Sequence, residues 1–349
     1  MHALRLNAET FPVTSEEAEQ FLAAGIQVST AESIDDPLSR SILGSVDALL
    51  VVSAKVKQKA IDELDHCRVI VRYGSGTDNV DVRRATERGI VVANVPGFCL
   101  SEVADHTLAL LLASARKLIL MDRHTRSGHW QARSEEKVRR IAGKTLGLVG
   151  FGGIAQQVAR RAAAFELNVI AYDPYLDRAR ALSLGVQESG LDNLLQISDF
   201  VSLHVPLTDQ SLHMIGEQQL RAMKAEAILI NTARGGLVDE DALVRALSQG
   251  WIAGAGIDVY EKLPMFEQQS LYTRHPLFDL ENVVLTPHSA GTSIEALEQL
   301  KSDGAREAIT VLRGQPPTHW VNPNVISKFP LQAPEQPVTA RGNHGQPLR

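Results

Sequence analysis

Arg234 and His288 are the two side chains in this sequence whose chemistry best suits work on a small carboxylic acid. Each follows an apolar run, Arg234 within Asn-Thr-Ala-Arg-Gly-Gly and His288 within Thr-Pro-His-Ser-Ala-Gly. A guanidinium holds a carboxylate through two parallel hydrogen bonds, and an imidazole transfers protons near neutral pH. Either residue alone has an ordinary interpretation, the arginine as a surface ion pair and the histidine as part of a capped loop. Whether the two residues act together depends on the strands and helices that position them.

A glycine-rich segment, Gly-Phe-Gly-Gly-Ile-Ala at 150–155, lies between the apolar run 146–149 and a helical pattern that extends to Phe165. In a dinucleotide-binding loop, the first glycine allows a tight turn and the second lets the backbone approach a pyrophosphate. A small third residue lets the helix pack closely on the strand. The helix N-terminus then offers N–H groups to the phosphates. The segment predicts a dinucleotide site at Gly150, Gly152, Gly153 and Ile154.

Asp173 ends the next apolar run, Asn-Val-Ile-Ala-Tyr-Asp at 168–173. A carboxylate at the end of the second strand of a dinucleotide-binding unit accepts hydrogen bonds from the adenine-ribose 2′-hydroxyl and repels a 2′-phosphate. Asp173 therefore predicts NAD as the cofactor in preference to NADP.

Short β-rich runs alternate with helical patterns along most of the chain, which is typical of α/β proteins with parallel sheets and crossover helices. The first runs cover 47–52, 69–72 and 90–95, before a long helical stretch from about Ser101 to Arg126. A second series begins at Thr145 and covers 168–172, 200–204, 227–231, 254–259 and 282–285. We predict two Rossmann-like or flavodoxin-like domains with parallel sheets and an active-site cleft between them.

The last helical pattern, 293–313, is long and amphipathic, and we expect it to return to the first domain. The predicted substrate-binding domain is therefore discontinuous, with residues 1–102 and 290–328, and the predicted NAD-binding domain covers 103–289. The remaining residues, 329–349, contain few apolar side chains and are rich in Pro, Gln, Gly and Asn, so we expect them to be disordered.

The predicted sheet places Arg234 and His288 at the same edge. In an open α/β sheet, ligands bind beyond the carboxyl ends of the strands, and both residues follow strand-like runs. They would therefore reach the same cleft as the nicotinamide. A carboxylate anchor and a proton carrier beside a hydride carrier suit a 2-hydroxy or 2-keto acid.

Composition narrows the range of functions. The 349 residues are 44% hydrophobic and 22% charged, and the formal net charge of −6 favours no nucleic-acid partner. No apolar run is long enough to span a membrane, and no secretory pattern begins the chain. The two cysteines, Cys67 and Cys99, lie in apolar contexts that fit a reducing cytoplasm. No histidines or cysteines have metal-ligand spacing, so no metal is expected.

An ordered set of motifs resembles the D-isomer-specific 2-hydroxyacid dehydrogenases, a group that includes D-lactate, glycerate, phosphoglycerate, formate and phosphite dehydrogenases and the C-terminal-binding corepressors. The resemblance covers roughly residues 40–325. Its motifs lie at 72–81, 102–108, 143–152, 172–174, 204–208, 231–236 and 287–288.

The resemblance implies roles for individual residues. The backbone N–H groups of Ser75 and Gly76 would help Arg234 hold the substrate carboxylate, and His288 would carry the proton. Residues implied along the cofactor are Pro206, Thr208, Thr232, Ala233, Asp258 and His288. The long helix from Ser101 with the following Gly-His-Trp resembles the family's dimerisation arm, which implies a homodimer.

One position departs from the family pattern. Members with a histidine–glutamate pair usually have the glutamate directly before a proline, and here the matching residue is Leu263. That glutamate favours the protonated histidine, so its loss would lower the histidine pKa and weaken 2-keto acid reduction at neutral pH. A different carboxylate, Glu261 or Glu267, could reach His288 if the segment 262–275 folds back.

A leucine at position 263 is also compatible with two different functions. The reaction could be a formate- or phosphite-type oxidation that needs no strong proton donor, although Cys99 stands where formate dehydrogenases have a substrate-binding asparagine. The protein could also be an NAD(H)-binding sensor or corepressor-like module with little turnover. Corepressors usually have a tryptophan where this sequence has Gly291. We therefore predict an NAD-dependent D-2-hydroxyacid dehydrogenase.

Overall fold

The computed structural model describes residues 1–130, 138–263 and 274–327. Contacts between Cα atoms divide the chain into two compact units, one of Met1–Val95 with the chain from Lys301, and one of Pro96–Leu300. The predicted division by function, with substrate binding at 1–102 and 290–328 and NAD binding at 103–289, stays a prediction. The tail at 329–349, which was expected to be disordered, lies outside the described residues.

The described strands are short, and helices alternate with them along most of the chain. The strands are β1 (His2–Arg5), β2 (Gln27–Thr30), β3 (Ala48–Val51), β4 (Val69–Arg72), β5 (Val91–Asn94), β6 (Thr145–Val149), β7 (Asn168–Tyr172), β8 (Gln187–Glu188), β9 (Phe200–Leu203), β10 (Ile228–Asn231), β11 (Gly254–Ile257) and β12 (Val283–Leu285). The helices are α1 (Ser15–Ala23), α2 (Pro37–Ile42), α3 (Gln58–Asp62), α4 (Val82–Glu87), α5 (Leu100–Ala115), α6 (Leu118–Arg126), α7 (Gly153–Ala164), α8 (Arg178–Ser183), α9 (Leu191–Ile197), α10 (Glu217–Ala222), α11 (Glu240–Ser248) and α12 (Ile294–Leu312).

The first unit contains a five-stranded parallel sheet in the order β2-β1-β3-β4-β5, which is the flavodoxin-like order. Strands β3 and β4 are apolar at nearly every position because both of their faces are covered, as parallel sheets require. The prediction of a parallel α/β sheet in this part of the chain is confirmed.

The second unit contains a seven-stranded parallel sheet in the order β12-β11-β10-β9-β6-β7-β8. This order reverses between β6 and β9, as in a Rossmann fold, where dinucleotides bind at the point of reversal. Alternate residues of its strands enter two separate hydrophobic clusters, for example Val201 in one and Phe200 in the other. The predicted Rossmann-like sheet is confirmed.

One predicted element is divided in the structure. The helical stretch expected from Ser101 to Arg126 forms two helices, α5 and α6, because Lys117 adopts a left-handed conformation with φ of 52°. Helix α5 buries one face, with six of its 16 residues buried, whereas no residue of α6 is buried. The left-handed residue therefore separates a core helix from an exposed one.

Candidate active site

Loops at the carboxyl edge of the seven-stranded sheet carry the predicted site residues of the second unit. Because every paired strand in this sheet is parallel, the loops that follow the strands leave from the same edge. The residues gathered there are Gly150 after β6, Asp173 after β7, Pro206 and Thr208 after β9, Arg234 after β10, Asp258 after β11 and His288 after β12. The other two predicted substrate-binding residues, Ser75 and Gly76, follow β4 in the first unit.

The glycine loop after β6 contains a tight turn at Gly150 and an open backbone position at Gly152. Gly150 has φ of 93°, and a Cβ there would lie 2.7 Å from the carbonyl oxygen of His204. A Cβ at Gly152 would meet no atom within 4 Å, so the backbone at this position faces open space. Helix α7 begins at Gly153, and Ala155 is fully buried on its inner side. The open glycine and the adjoining helix N-terminus fit a dinucleotide pyrophosphate.

Asp173 holds this loop against the end of β7. Its Oδ2 accepts a hydrogen bond from the backbone N–H of Phe151 at 2.8 Å, and its Oδ1 accepts one from Tyr175 at 2.8 Å. A carboxylate has about four acceptor positions, so the two remaining ones are sufficient for a ribose hydroxyl. Asp173 therefore has a structural role in this loop, and its role toward the cofactor stays a prediction.

The turn that carries Arg234 is fixed by its own first residue. Asn231 accepts a hydrogen bond from the N–H of Ala233 through Oδ1 at 3.1 Å and donates one from Nδ2 to the carbonyl of Arg234 at 2.9 Å. A Cβ at Gly235 would lie 2.0 Å from the carbonyl carbon of Tyr260, so only glycine permits the close approach of these two loops. Arg234 is half-buried on this fixed turn, and its Nη1 donates to the carbonyl of Ala233 at 2.7 Å.

Other residues predicted along the cofactor lie at the same edge. Thr232 is 8% exposed, and its hydroxyl is 2.8 Å from that of Thr107 on α5. Thr208 and Ser211 cap the turn after β9, with Oγ of Ser211 accepting the N–H of Thr208 at 2.8 Å. Pro206 is exposed in this turn. These contacts shape the loops and leave their outer surface accessible.

Asp258 organises the turn that presents His288. It is fully buried, and its backbone carbonyl accepts the N–H of His288 at 2.8 Å. Its Oδ1 accepts the N–H of Ser289 at 2.9 Å and its Oδ2 that of Ala290 at 3.0 Å. His288 itself has φ of 56°, a conformation rare for residues with a side chain. The buried carboxylate compensates for this strained turn by binding the N–H groups that follow it.

Thr286 is a residue of this turn that the motifs did not identify. Its hydroxyl donates to Asp258 Oδ1 at 2.6 Å and lies 2.9 Å from Nε2 of His106. The ring of His106 is also 3.6 Å from the same carboxylate oxygen. The sequence shows a hydroxyl side chain two positions before His288. It does not show the partners of that hydroxyl, Asp258 and His106, because they are distant in the chain.

Glu261, predicted as one alternative partner for His288, contacts a different histidine. Its Oε1 lies 2.6 Å from Nε2 of His213. Leu263, at the usual glutamate position, is half-buried and packs against the hydrophobic core. The other alternative, Glu267, lies outside the described residues. The role of Glu261 at His288 therefore stays a prediction, to which the structure adds no contact.

A buried pair supports the loop that carries Glu261. Glu240 at the start of α11 and His275 are 5% and 6% exposed, and Oε2 of Glu240 is 3.1 Å from Nε2 of His275. The same oxygen accepts the N–H of Lys262 at 3.1 Å. The neighbouring Tyr260 donates its hydroxyl to the carbonyl of Thr286 at 3.1 Å. These bonds connect the loop after β11 to the turn before His288.

The charge at this edge is unevenly distributed. Burial lowers the pKa of His204 to about 4, so this histidine is neutral at pH 7, and its Nε2 lies 2.9 Å from the hydroxyl of Ser202. Arg234 carries a permanent positive charge. An anionic substrate group is therefore better matched to the turn after β10 than to the turn after β9.

The described part of the chain contains neither a candidate metal site nor a candidate membrane-spanning helix. Within 1–130, 138–263 and 274–327, no three His, Cys, Asp or Glu side chains are grouped to hold a metal ion. Over the same ranges, no helix has both the length and the hydropathy of a membrane span.

Residues 108–290 match the family model described as D-isomer specific 2-hydroxyacid dehydrogenase, NAD binding domain. The chain belongs to this family. It is 42% identical over 288 residues to a glyoxylate reductase of Korarchaeum cryptofilum, with 81% of this chain and 85% of that protein covered. The sequence resemblance is thereby confirmed.

Two solved dehydrogenase structures share the fold of the chain. A glyoxylate reductase from Paecilomyes thermophila has 28% identity and a TM-score of 0.81, with 92% of this chain and 98% of that chain covered. A D-lactate dehydrogenase from Aquifex aeolicus, complexed with NAD and lactic acid, has 27% identity and a TM-score of 0.79, with 89% and 96% covered. The protein is an NAD-dependent oxidoreductase of 2-hydroxy and 2-keto acids, as predicted, and the sensor and formate-type alternatives are not favoured.

Proposed function

We propose that this dehydrogenase reduces a small 2-keto acid, with glyoxylate preferred to larger homologues and NADH as the reductant. The observation that carries the proposal is the common sheet edge of the glycine loop, Arg234 and His288. The 42% identity to a glyoxylate reductase over 81% of the chain supports glyoxylate among the small acids.

The roles of the reacting groups follow from their chemistry. Arg234 is assigned to the substrate carboxylate, and the backbone N–H groups of Ser75 and Gly76 to the same anion. When bound, the nicotinamide supplies the hydride that reduces C2 of the keto acid. His288 donates a proton to the carbonyl oxygen in this direction and removes it from the hydroxyl in the other. One hydride and one proton thus convert the keto acid into the hydroxy acid.

The cofactor contacts are assigned to the loops around the glycine segment. The pyrophosphate is assigned to Gly150, Gly152, Gly153 and Ile154, and the adenine ribose to Asp173. Residues assigned along the rest of the cofactor are Pro206, Thr208, Thr232, Ala233, Asp258 and His288. We assign NAD binding to 103–289 and substrate binding to 1–102 and 290–328.

A homodimer in the cytoplasm is part of the proposal. Helix α6 has no buried residue, and its Leu118 and Ile119 are 53% and 50% exposed. Trp130, shortly after it, is 85% exposed. Apolar side chains this accessible are typical of an interface with another chain, and the buried Cys67 and Cys99 are compatible with a reducing compartment.

We expect the purified protein to oxidise NADH with glyoxylate at a higher kcat/KM than with pyruvate, hydroxypyruvate or branched and aromatic 2-keto acids. NADPH should be at least about tenfold less effective than NADH, because the Asp173 carboxylate would repel a 2′-phosphate by about 1.4 kcal/mol or more. Initial rates at 340 nm across this set of acids, from acidic to alkaline pH, measure both preferences.

Two results of these assays would count against the proposal. Turnover of a branched or aromatic acid with glyoxylate inactive would exclude the small substrate. NADH binding without turnover of any acid at any pH would favour the sensor interpretation instead.

A further inference from the structure

The loop that follows β4 in the first unit is held at its start by Tyr73. This buried side chain donates its hydroxyl to Glu17 Oε1 at 2.7 Å, and the guanidinium carbon of Arg5 lies 3.9 Å from the centre of its ring. Arg5 and Glu17 are themselves buried and 3.3 Å apart. A Cβ at Gly304 of α12 would lie 2.6 Å from the ring. The point at which the loop leaves the sheet is therefore fixed.

The three carbonyl oxygens that follow are each held by a different donor. Nη1 of Arg72 donates to the carbonyl of Tyr73 at 2.9 Å, and Nδ2 of Asn94 donates to the carbonyl of Ser75 at 2.6 Å. Between them, the backbone N–H of Val95 donates to the carbonyl of Gly74 at 3.1 Å. Arg72 and Asn94 are partners in the register of β4 and β5, at the last pair of the ladder.

Holding a carbonyl oxygen also orients the N–H on the other side of the same peptide. In a planar trans peptide, the C=O of one residue and the N–H of the next point in opposite directions. All peptide bonds in the described ranges are trans. The donors on the carbonyls of Gly74 and Ser75 therefore turn the N–H groups of Ser75 and Gly76 away from the strand ends. Successive N–H groups that point the same way form an anion-binding concavity.

Gly74 is what allows Arg72 to reach this loop. It has φ of 136°, and a Cβ there would lie 1.4 Å from Nη1 of Arg72. The guanidinium thus occupies the space of the missing side chain. A glycine before Ser75 has a second function besides its positive φ, because it admits the donor for the carbonyl of Tyr73.

We propose that Asn94 and Arg72 are positioning residues for the loop that binds the carboxylate of a 2-keto acid. Asn94, through the carbonyl of Ser75, aims the N–H of Gly76, and Arg72, through the carbonyl of Tyr73, fixes the preceding peptide from which the N–H groups of Ser75 and Gly76 extend. The inference rests on the proposed function, which assigns those N–H groups to the substrate. Neither side chain needs to touch the substrate. Their effect is on how tightly a carboxylate binds rather than on the proton or hydride transfer.

Substitutions that remove one donor each should weaken carboxylate binding selectively. We expect Asn94→Leu and Arg72→Met to raise the KM for glyoxylate and the Kd of oxamate in the NADH complex by about 10- to 100-fold, the scale of one hydrogen bond to a charged group. Because this binding is lost equally from ground and transition states, kcat should stay within about threefold. Arg72→Lys, which keeps a donor, should recover much of the affinity.

Calorimetric titration with oxamate, NADH titration and thermal melting separate positioning from general damage. Asn168→Leu is the matched control, since its Nδ2 also donates to a backbone carbonyl, that of Gly143, at 3.1 Å. It should bind oxamate as the wild type does. NADH affinity should be unchanged in every variant.

The titrations distinguish a positioning role of Arg72 and Asn94 from a structural role and from a wrong proposed function. Wild-type oxamate affinity in folded Asn94→Leu and Arg72→Met, with affinity lost in Arg234→Ala, would overturn the inference and leave the proposed function standing. Losses of oxamate binding, NADH binding and melting temperature in parallel would reduce both residues to a structural role. A wild-type protein that neither binds oxamate nor reduces glyoxylate would overturn the proposed function and this inference together.

Discussion

Replacing Arg234 by alanine should lower kcat/KM for glyoxylate by about 10²- to 10⁴-fold, because two charge-assisted hydrogen bonds of about 1.5–3 kcal/mol each are lost. Arg234→Lys should recover only part of this loss, since an ammonium keeps the charge but not the planar fork. Arg234→Ala loses the bond from Nη1 to the carbonyl of Ala233, but the turn should persist because Asn231 still bonds to the backbone groups of residues 233 and 234. Steady-state kinetics with glyoxylate measure the loss of kcat/KM, and NADH titration shows whether the cofactor site is intact.

The matched control for Arg234 is Arg245→Ala. Arg245 lies on α11 in the same unit and pairs on the surface with Glu217 at 3.1 Å. An exposed pair of this kind contributes at most about 1 kcal/mol, so this variant should turn over normally. Normal turnover by Arg234→Ala itself would remove the arginine from the substrate site.

Replacing His288 by glutamine should lower kcat by about 10²- to 10⁴-fold, the usual contribution of a positioned acid–base group. Glutamine preserves a polar side chain but cannot transfer the proton. The backbone N–H of residue 288 would still donate to the carbonyl of Asp258, so the turn should keep its shape. Rates of glyoxylate reduction from acidic to alkaline pH, together with NADH affinity, provide the measurement.

The pH profile distinguishes a lost proton donor from a distorted site. For the wild type, reduction should slow as the pH rises past the titration of the donor, whereas the residual rate of His288→Gln should lack this step. His66→Gln, at an exposed position of the first unit, should retain the wild-type profile. An unchanged pH step in His288→Gln would transfer the proton role to another group.

The sequence was sufficient for the parts of the site that depend on strand order and local turns. The apolar runs before Gly150, Asp173, Arg234 and His288 matched strands β6, β7, β10 and β12 within one or two residues. Because parallel strands deliver their carboxyl ends to one edge, recognising the runs was enough to bring these residues together.

Features that depend on contacts distant in sequence were not predictable in the same way. Asp258 was expected only as a cofactor contact, yet its carboxylate also binds Thr286 and the N–H groups after His288. No local pattern encodes such a network, since its members come from different strands. The left-handed Lys117 was likewise not predicted, because neither glycine nor proline marks the break in the helix.

Leu263 occupies the position at which the sequence departs from the family pattern. The family pattern indicated a missing glutamate, and the structure places this leucine against the hydrophobic core. The nearest candidate substitute, Glu261, contacts His213 instead. The sequence thus identified the departure correctly, but propensity and spacing do not determine which carboxylate a loop brings to a histidine.

The stereochemistry of the product tests the central claim most directly. Hydroxypyruvate would be reduced with NADH by the wild-type protein, and the resulting glycerate separated by chiral chromatography. A carboxylate anchor, a proton donor and a dinucleotide loop fixed at one sheet edge hold one face of the carbonyl toward the hydride, so we expect a single isomer. Because the chain belongs to the D-isomer specific family, we expect that isomer to be D-glycerate. Formation of the L-isomer or of a racemic mixture, or reduction of neither hydroxypyruvate nor glyoxylate, would contradict the claim.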